Sequence, residues 1–333
     1  MKMKKIIIVF LFTVGVTNAQ DVIFSQNFLV PETLSSSFTG ATKSSKVGTL
    51  HRSQWRNYGL KINSNYVYFD TWFEGYRSGL GFSFINHEES GSNYNFNKIN
   101  LNYSVAFQIS DSWFFRPSIS AGFGMKSYGF QNILLEDQIN ANSNIINTSS
   151  IDPVLLQNRR SFFDFSSSIL FNNDDSWIGI TLRHLNKPNI SLTANGNVPL
   201  DVFLSIHTKY YLPILENNPT WFTNKSKIYF LSNFMMQGST NRLDIGMQYI
   251  FDDQFSFGIV AATNPMKNVD ENPFISSISS FVGIKWQGFR FGYSYDFNTS
   301  KIINTGGIHE FSVGYDFEVN IRLLDRYKCV SYF

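Results

Sequence analysis

Between Ile99 and Ile109 apolar residues fall at every second position. The odd positions are Ile99, Leu101, Tyr103, Val105, Phe107 and Ile109, and the even ones are Asn100, Asn102, Ser104, Ala106 and Gln108. Successive side chains of a strand point to opposite faces, so this stretch predicts a strand with one greasy face and one small or polar face. The next stretch sets Trp113, Phe115, Ile119, Ala121, Phe123 and Met125 against Arg116, Ser118, Ser120, Gly122 and Gly124. Pro117 interrupts it; proline has no amide to donate to a ladder, so a bulge or an end of pairing is expected there. Near the C-terminus Phe289, Phe291, Tyr293, Tyr295 and Phe297 oppose Arg290, Gly292, Ser294 and Asp296. Phe311, Val313, Tyr315 and Phe317 then oppose Glu310, Ser312, Gly314 and Asp316.

The same template predicts about fourteen strands: 47–56, 61–71, 77–86, 97–109, 112–125, 161–171, 176–186, 200–211, 226–237, 241–251, 254–263, 276–286, 289–298 and 308–317. The first, second and eighth alternate poorly. Most have the roughly nine to eleven residues that a tilted transmembrane strand needs. Short connections at Ser110-Asp111, Asn172-Asn173-Asp174-Asp175, Asp252-Asp253 and Gln287-Gly288 alternate with longer ones at 87–96, 126–160, 187–199, 264–275 and 299–307. Outer-membrane barrels alternate periplasmic turns with outer loops in this way. The long segment 212–225 breaks the rule. Trp113, Trp177 and Phe255 follow short turns closely, as in an interfacial aromatic girdle. The fold expected is therefore all-β: a transmembrane, antiparallel, up-and-down β-barrel with a long extracellular loop at 126–160.

Composition supports a chain that faces something apolar. Aromatics make up 17% of residues, with 34 Phe and 16 Tyr, whereas charged residues are 16%, against about 25% in soluble domains. No apolar run after Phe12 is long enough for a membrane helix, which leaves the barrel as the spanning solution. A soluble β-sandwich would also alternate, but its outer face would carry more Lys and Glu than the Ser, Gly and Asn found here. Lys2, Lys4 and Lys5, an apolar run from Ile6 to Val16, and Thr17-Asn18-Ala19 read as a signal peptide over 1–19. Residues 20–46 are then expected to be a periplasmic N-terminal segment and 47–333 the barrel, in the outer membrane and in contact with its lipid bilayer.

A net charge of +2 points to no nucleic-acid partner. Cys329, the single cysteine, cannot form an internal disulfide. His51, His87, His184, His207 and His309 show no metal-ligand spacing, and no GxSxG accompanies a histidine, so no catalytic residue, metal or cofactor is expected. A barrel hydrolase using His184 or His309 is the enzymatic alternative. The charged residues expected in the lumen are Arg52, Arg56, Arg116, Arg242 and Arg290 against Asp164, Asp244, Asp296, Glu310 and Asp316. Their balance suits a filled or narrow lumen better than an ion-selective pore. The loop 126–160, with Leu134, Leu135, Glu136, Asp137, Gln138 and Ile139, is the candidate plug or partner-binding element.

Several stretches resemble the PorP/SprF family of outer-membrane proteins of the type IX secretion system of Bacteroidetes. They are Phe24-Ser25-Gln26, Arg52-Ser53-Gln54-Trp55, Leu135-Glu136-Asp137-Gln138-Ile139 and His184-Leu185-Asn186-Lys187-Pro188-Asn189, the most specific piece. Gly292-Tyr293-Ser294-Tyr295-Asp296-Phe297, Gly307-Ile308-His309-Glu310-Phe311-Ser312, Cys329 and a terminal Phe333 complete the resemblance. The Asn-Pro-Ala stretch usual after the first motif is replaced by Ser35-Ser36-Ser37-Phe38-Thr39-Gly40. The resemblance implies a non-enzymatic accessory that works with type IX secretion components. Its cargo would be a protein with a type IX C-terminal signal domain, such as a gliding adhesin. A porin or substrate-selective channel is the alternative.

Overall fold

In the computed structural model, which describes residues 21–55, 61–129, 138–140, 145–146, 158–192, 196–214, 226–266, 275–299 and 306–317, the alternating stretches form one continuous antiparallel ladder. Its fourteen strands are β1 (Lys46–Gln54), β2 (Ile62–Phe73), β3 (Ser78–Glu89), β4 (Tyr94–Val105), β5 (Phe114–Tyr128), β6 (Arg159–Asn172) and β7 (Trp177–Arg183), then β8 (Phe203–Leu212), β9 (Ser226–Gln237), β10 (Thr240–Phe251), β11 (Phe255–Thr263), β12 (Ile275–Trp286), β13 (Phe289–Asn298) and β14 (Ile308–Asp316). Each pairs with its neighbours in sequence, and β1 closes on β14 with Lys46 opposite Asp316 and Gln54 opposite Ile308. Closure leaves no free edge, which is what a sheet in lipid requires.

The two faces of this sheet differ as the alternation demands. Leu101, Ile119, Phe163, Met247, Ile259 and Val313 are exposed on the outside, whereas Lys98, Arg116, Asp164, Gln248, Ser294 and Glu310 are buried inside. Outward rings pair across strands near the short-turn end, Phe107 with Phe115 at 6.3 Å, Phe115 with Phe171 at 5.0 Å and Phe289 with Tyr315 at 4.7 Å between centroids. Phe255 also points outward, but Trp177, expected in the girdle, is 2% exposed and faces the lumen. Strands β1, β2 and β8 alternate poorly because their inward positions carry large apolar groups as well as polar ones: Leu50, Tyr66, Tyr68 and Phe203 are buried.

The structure departs from the predicted boundaries for identifiable reasons. The expected loop 87–96 is a four-residue turn, because β3 runs to Glu89 and β4 starts at Tyr94. Asn65, Asn86 and Asn97 are linked side chain to side chain across β2, β3 and β4, and Asn86 and Asn95 both donate to Glu88. The ladder thus continues after the apolar alternation has stopped. At Pro117 the register does not shift. Pairing with β4 lapses opposite Val105 and Ala106 and resumes where Phe107 meets Phe115, while the β6 side pairs Pro117 with Ile169 throughout. β7 ends at Arg183 rather than at 186, because His184 turns into the left-handed region at φ 60°. The long segment 212–225 lies largely outside the described residues.

The largest departure concerns the N-terminal segment. Instead of lying in the periplasm, residues 21–45 sit inside the barrel, where Phe28, Phe38 and Ala41 are buried together with wall residues Leu50, Leu170 and Leu231. The molecule is a closed barrel with an apolar outer band and its own chain in the lumen.

The exposed band predicts a depth-dependent penalty for charge. Ile259, 63% exposed at the middle of β11, is expected to lose about 2–4 kcal/mol of stability on substitution Ile259→Arg. Urea unfolding of barrels refolded into lipid vesicles measures this, and an unchanged midpoint would place that face outside the bilayer.

Candidate functional site

Between the mouth and the base of the barrel the N-terminal segment has no strand partner and satisfies its backbone by short turns. Pro31–Thr33 and Ser36–Phe38 form single 3-10 turns, the first with proline at its start, where a missing amide is harmless, and the second capped by Ser35, whose Oγ accepts from Ser37 N at 3.1 Å. Its apolar side chains meet a wall of matching character. Phe28 stacks on Trp177 at 6.0 Å, Phe38 meets Trp177 edge-on at 5.0 Å and Phe24 packs on Tyr66 at 6.0 Å. Each fully buried side chain of this size contributes roughly 1.5–3 kcal/mol.

Polar contacts fix the position of this plug. Arg52 of β1 faces Glu310 of β14 across the seam that closes the barrel, and the two form a buried ion pair. Glu310 also accepts from Ser25 N at 2.9 and 3.0 Å and from Gln26 N at 2.9 Å. Gln26 Nε2 donates to the Glu310 carbonyl at 2.8 Å, and Ser312 Oγ donates to Gln26 Oε1 at 2.6 Å. Ser25 Oγ donates to Asp296, which lies 3.6 Å from Arg52 Nη1. Four of the stretches named above therefore meet at one point: those holding Ser25, Arg52, Asp296 and Glu310.

At the long-loop end, His184 lies between two carboxylates, Nδ1 2.9 Å from Asp164 Oδ1 and Nε2 2.8 Å from Asp21 Oδ1. Two carboxylate acceptors require both ring nitrogens to donate, which is the imidazolium. Burial opposes that charge, yet Asp21 and the hydrogen bonds to Asp164 and Asp21 outweigh it, so the His184 pKa is raised from 6.5. Burial would likewise raise Asp21, but His184, Arg183 and Lys98 hold it well below its ordinary 3.8. Lys98 pairs with Asp164, and Arg183 Nη1 lies 3.3 Å from Asp21 Oδ2. At the short-turn end Lys46 pairs with Glu32, and Asp70 accepts from Gly40 N at 2.8 Å. Gly40, at φ 67°, passes directly over Gly79, and a Cβ on Gly79 would overlap the Thr39 carbonyl.

The predicted lumen charges separate into several groups. Arg52, Asp296 and Glu310 share the seam cluster. Arg242 Nε pairs with Asp244 at 2.7 Å, and Arg290 Nη2 lies 2.9 Å from Asp316 Oδ1 and 3.2 Å from Tyr68 Oη. Arg116 donates to Asn172 at 3.1 Å beside the Trp72 ring, Asp164 belongs to the His184 cluster, and Arg56 lies outside the described residues. Asn186 clasps β6 by donating to Phe163 O at 2.8 Å and accepting from Phe165 N at 3.1 Å. Asn189 Oδ1 accepts from Ser191 N and Val198 N, and Pro188 O accepts from Leu200 N at 2.9 Å, so this motif builds the β7–β8 loop. In the long loop, Leu134, Leu135, Glu136 and Asp137 lie outside the described residues. Gln138 is buried, and Ile139 is 54% exposed in a two-residue ladder with Ile145–Ile146. His309 turns away from Glu310 and meets Tyr293 Oη at 3.0 Å. Among the described residues no cluster of three or more His, Cys, Asp or Glu could hold a metal.

Sequence reasoning missed the plug. Its signal was the set Phe24, Phe28, Leu29, Val30, Leu34 and Phe38, a dense apolar segment without strand alternation, which needs a dry surface to cover it.

The family model described as type IX secretion system membrane protein PorP/SprF matches residues 16–315. No protein of curated function matches the sequence. Among solved structures, the chain is similar to the outer membrane protein Omp33 of Acinetobacter baumannii, with 7% identity and TM-score 0.44 over 83% of this chain and 100% of that one. It is also similar to the CymD monoaromatic hydrocarbon channel, with 12% identity and TM-score 0.47 over 89% and 94%. For the KdgM porin the figures are 10% and 0.34 over 82% and 99%.

Glu310→Ala removes the nearer of the two carboxylates facing Arg52, leaving Asp296 at 3.6 Å, and leaves two plug amides without an acceptor; breaking a buried pair in this way costs about 3–5 kcal/mol, read as a lower urea midpoint in vesicles. For the Asp21–His184 clasp, the raised His184 contributes fully below its ordinary 6.5 and loses that contribution as pH rises through its folded value. The depressed Asp21 contributes above its ordinary 3.8 and loses it as pH falls through its folded value. The Asp21 amide, which donates to Gln237 Oε1 at 2.9 Å, is therefore expected to lose protection, after correction for intrinsic rates, as pH rises from 6 through the raised His184 value; protection that never falls as pH rises would refute the charged clasp.

Proposed function

The chain belongs to the PorP/SprF family of type IX secretion system membrane proteins, and from that membership we propose that it is a non-enzymatic accessory of this system in the outer membrane. It helps export a cognate cargo or hold it at the cell surface. The cargo class that fits is a protein carrying a type IX C-terminal signal domain, such as a gliding adhesin.

The observation that carries this reading over that of a pore is the filled lumen. An open porin keeps a water channel, whereas here Phe28, Phe38 and Leu34 are buried in the lumen in one cluster with Leu50, Leu170 and Trp177. Work on a partner is then done at the loops rather than through the wall. The loop 126–160 supports this, because the exposed, directly paired Ile139 and Ile146 offer an apolar ladder of the kind that an extended segment adds to. The channel reading draws on a cavity beside the plug, where Ser83, Asn100, Asn102, Ser120, Ser166 and Thr181 of the wall face Phe24 and Leu34 of the plug.

Deletion of the protein is expected to leave its cargo unexported or released into the medium, scored by surface immunoblotting of each type IX cargo. Normal export and attachment of all of them would end the proposal. In planar bilayers the intact barrel is expected to stay closed, whereas removal of residues 24–38 gives large steady conductance; large open channels from the intact barrel would favour the porin.

A further inference from the structure

The direction in which the plug runs has a consequence for which side of the membrane the N-terminal end of the chain reaches. β1 begins at Lys46 and β14 ends at Asp316, both at the short-turn end of the barrel. An even-stranded barrel would ordinarily leave both flanking segments on that side. The plug does not stay there. From Lys46 backwards, Gly40 lies over Gly79 at the start of β3, Ser36 Oγ meets Ser118 Oγ at 2.8 Å near the start of β5, and Glu32 still reaches back to Lys46. Ser25 and Gln26 are already bound to Glu310, near the loop end of β14. Asp21 is held by Arg183 and His184, where β7 gives way to its long loop, and by Gln237, the last residue of β9 before its turn. The segment therefore crosses the whole depth of the barrel, and its first described residue is at the opposite mouth from Lys46. Ile23 and Asp21 line an open hollow there with Ser239, Thr240, Asn241 and Asn264.

We infer that the plug is threaded outwards, so that its Asp21 end opens on the long-loop face and is displayed at the cell surface beside the His184–Asn189 turn. The barrel then presents an N-terminal end, as well as loops, to an external protein partner. The ion cluster at Asp21 acts as the collar that holds this end at the mouth. The inference rests on the outer-membrane orientation proposed above, in which the long loops face outwards.

The experiment uses the full-length protein in cells, with Cys329→Ser to remove the native thiol. Ile23→Cys, a loop control Thr299→Cys and a turn control Asp252→Cys are treated with a membrane-impermeant maleimide before and after the outer membrane is disrupted. In parallel, a short epitope is inserted between Gln20 and Asp21 and probed with antibody on intact cells, with heat-modifiable migration on gels confirming that each barrel is folded. Expected is labelling of Ile23→Cys and of the epitope on intact cells alongside Thr299→Cys, with Asp252→Cys labelled only after disruption. N-terminal probes that behave like Asp252→Cys in folded barrels overturn the inference. If the loop and turn controls exchange behaviour, the orientation has failed instead, and the N-terminal end is placed in the periplasm, which also overturns the display.

Discussion

Closing the sheet brings β1 beside β14, and where Arg52 and Glu310 face each other across that seam a carboxylate is buried against a guanidinium and two backbone amides of the plug. An ionised carboxylate in a dry interior is tolerated only when its charge is matched and its lone pairs are occupied. Arg52 supplies the charge; Ser25 and Gln26 supply donors. Removing the plug would leave the pair under-coordinated, and opening the seam would leave the plug without its acceptor. Barrel closure and plug docking are in this sense one structural event, held together by residues from the two ends of the chain.

The same constraint explains the character of the lumen. A barrel wall that faces water needs only small and polar inward groups, and much of β5, β6 and β11 has them. Where the plug passes, the wall instead offers Leu50, Tyr66, Tyr68, Trp177, Leu231 and Phe281, and the plug answers with phenylalanines and leucines. The interior combines a hydrophobic core with ionic anchors at three depths: Asp21–His184 at the loop mouth, Glu310–Arg52 next, and Glu32–Lys46 at the base. The recognition at the loop face proposed above accords with such a filled interior.

Much of the barrel was legible because lipid imposes a period of two. Ile99 to Ile109 and Phe289 to Phe297 read directly as strands, since each outward residue must be apolar. Legibility failed where another partner replaced lipid or water. Asn86 and Asn97 continue β3 and β4 through side-chain amide pairing above the apolar band, and no periodicity marks that. Trp177 read as a girdle residue from its place after a turn, but Phe28 and Phe38 draw it inward. Of the site, the charged lumen residues were visible one by one, whereas their grouping was not: Asp164 joins His184 while Asp296 joins Arg52, from strands far apart in sequence.

By itself, then, the sequence determined an all-β membrane barrel of fourteen strands, the inward side of each clear strand and membership in a secretion family, because these depend on local alternation and short motifs. Only the tertiary structure decided that residues 21–45 thread the lumen and that Ser25, Arg52, Asp296 and Glu310 form one site. Alternation specifies which face of a strand meets lipid but carries no information about what fills the space behind the other face. That is settled by long-range complementarity, here between a buried carboxylate and the amides of a segment 285 residues away.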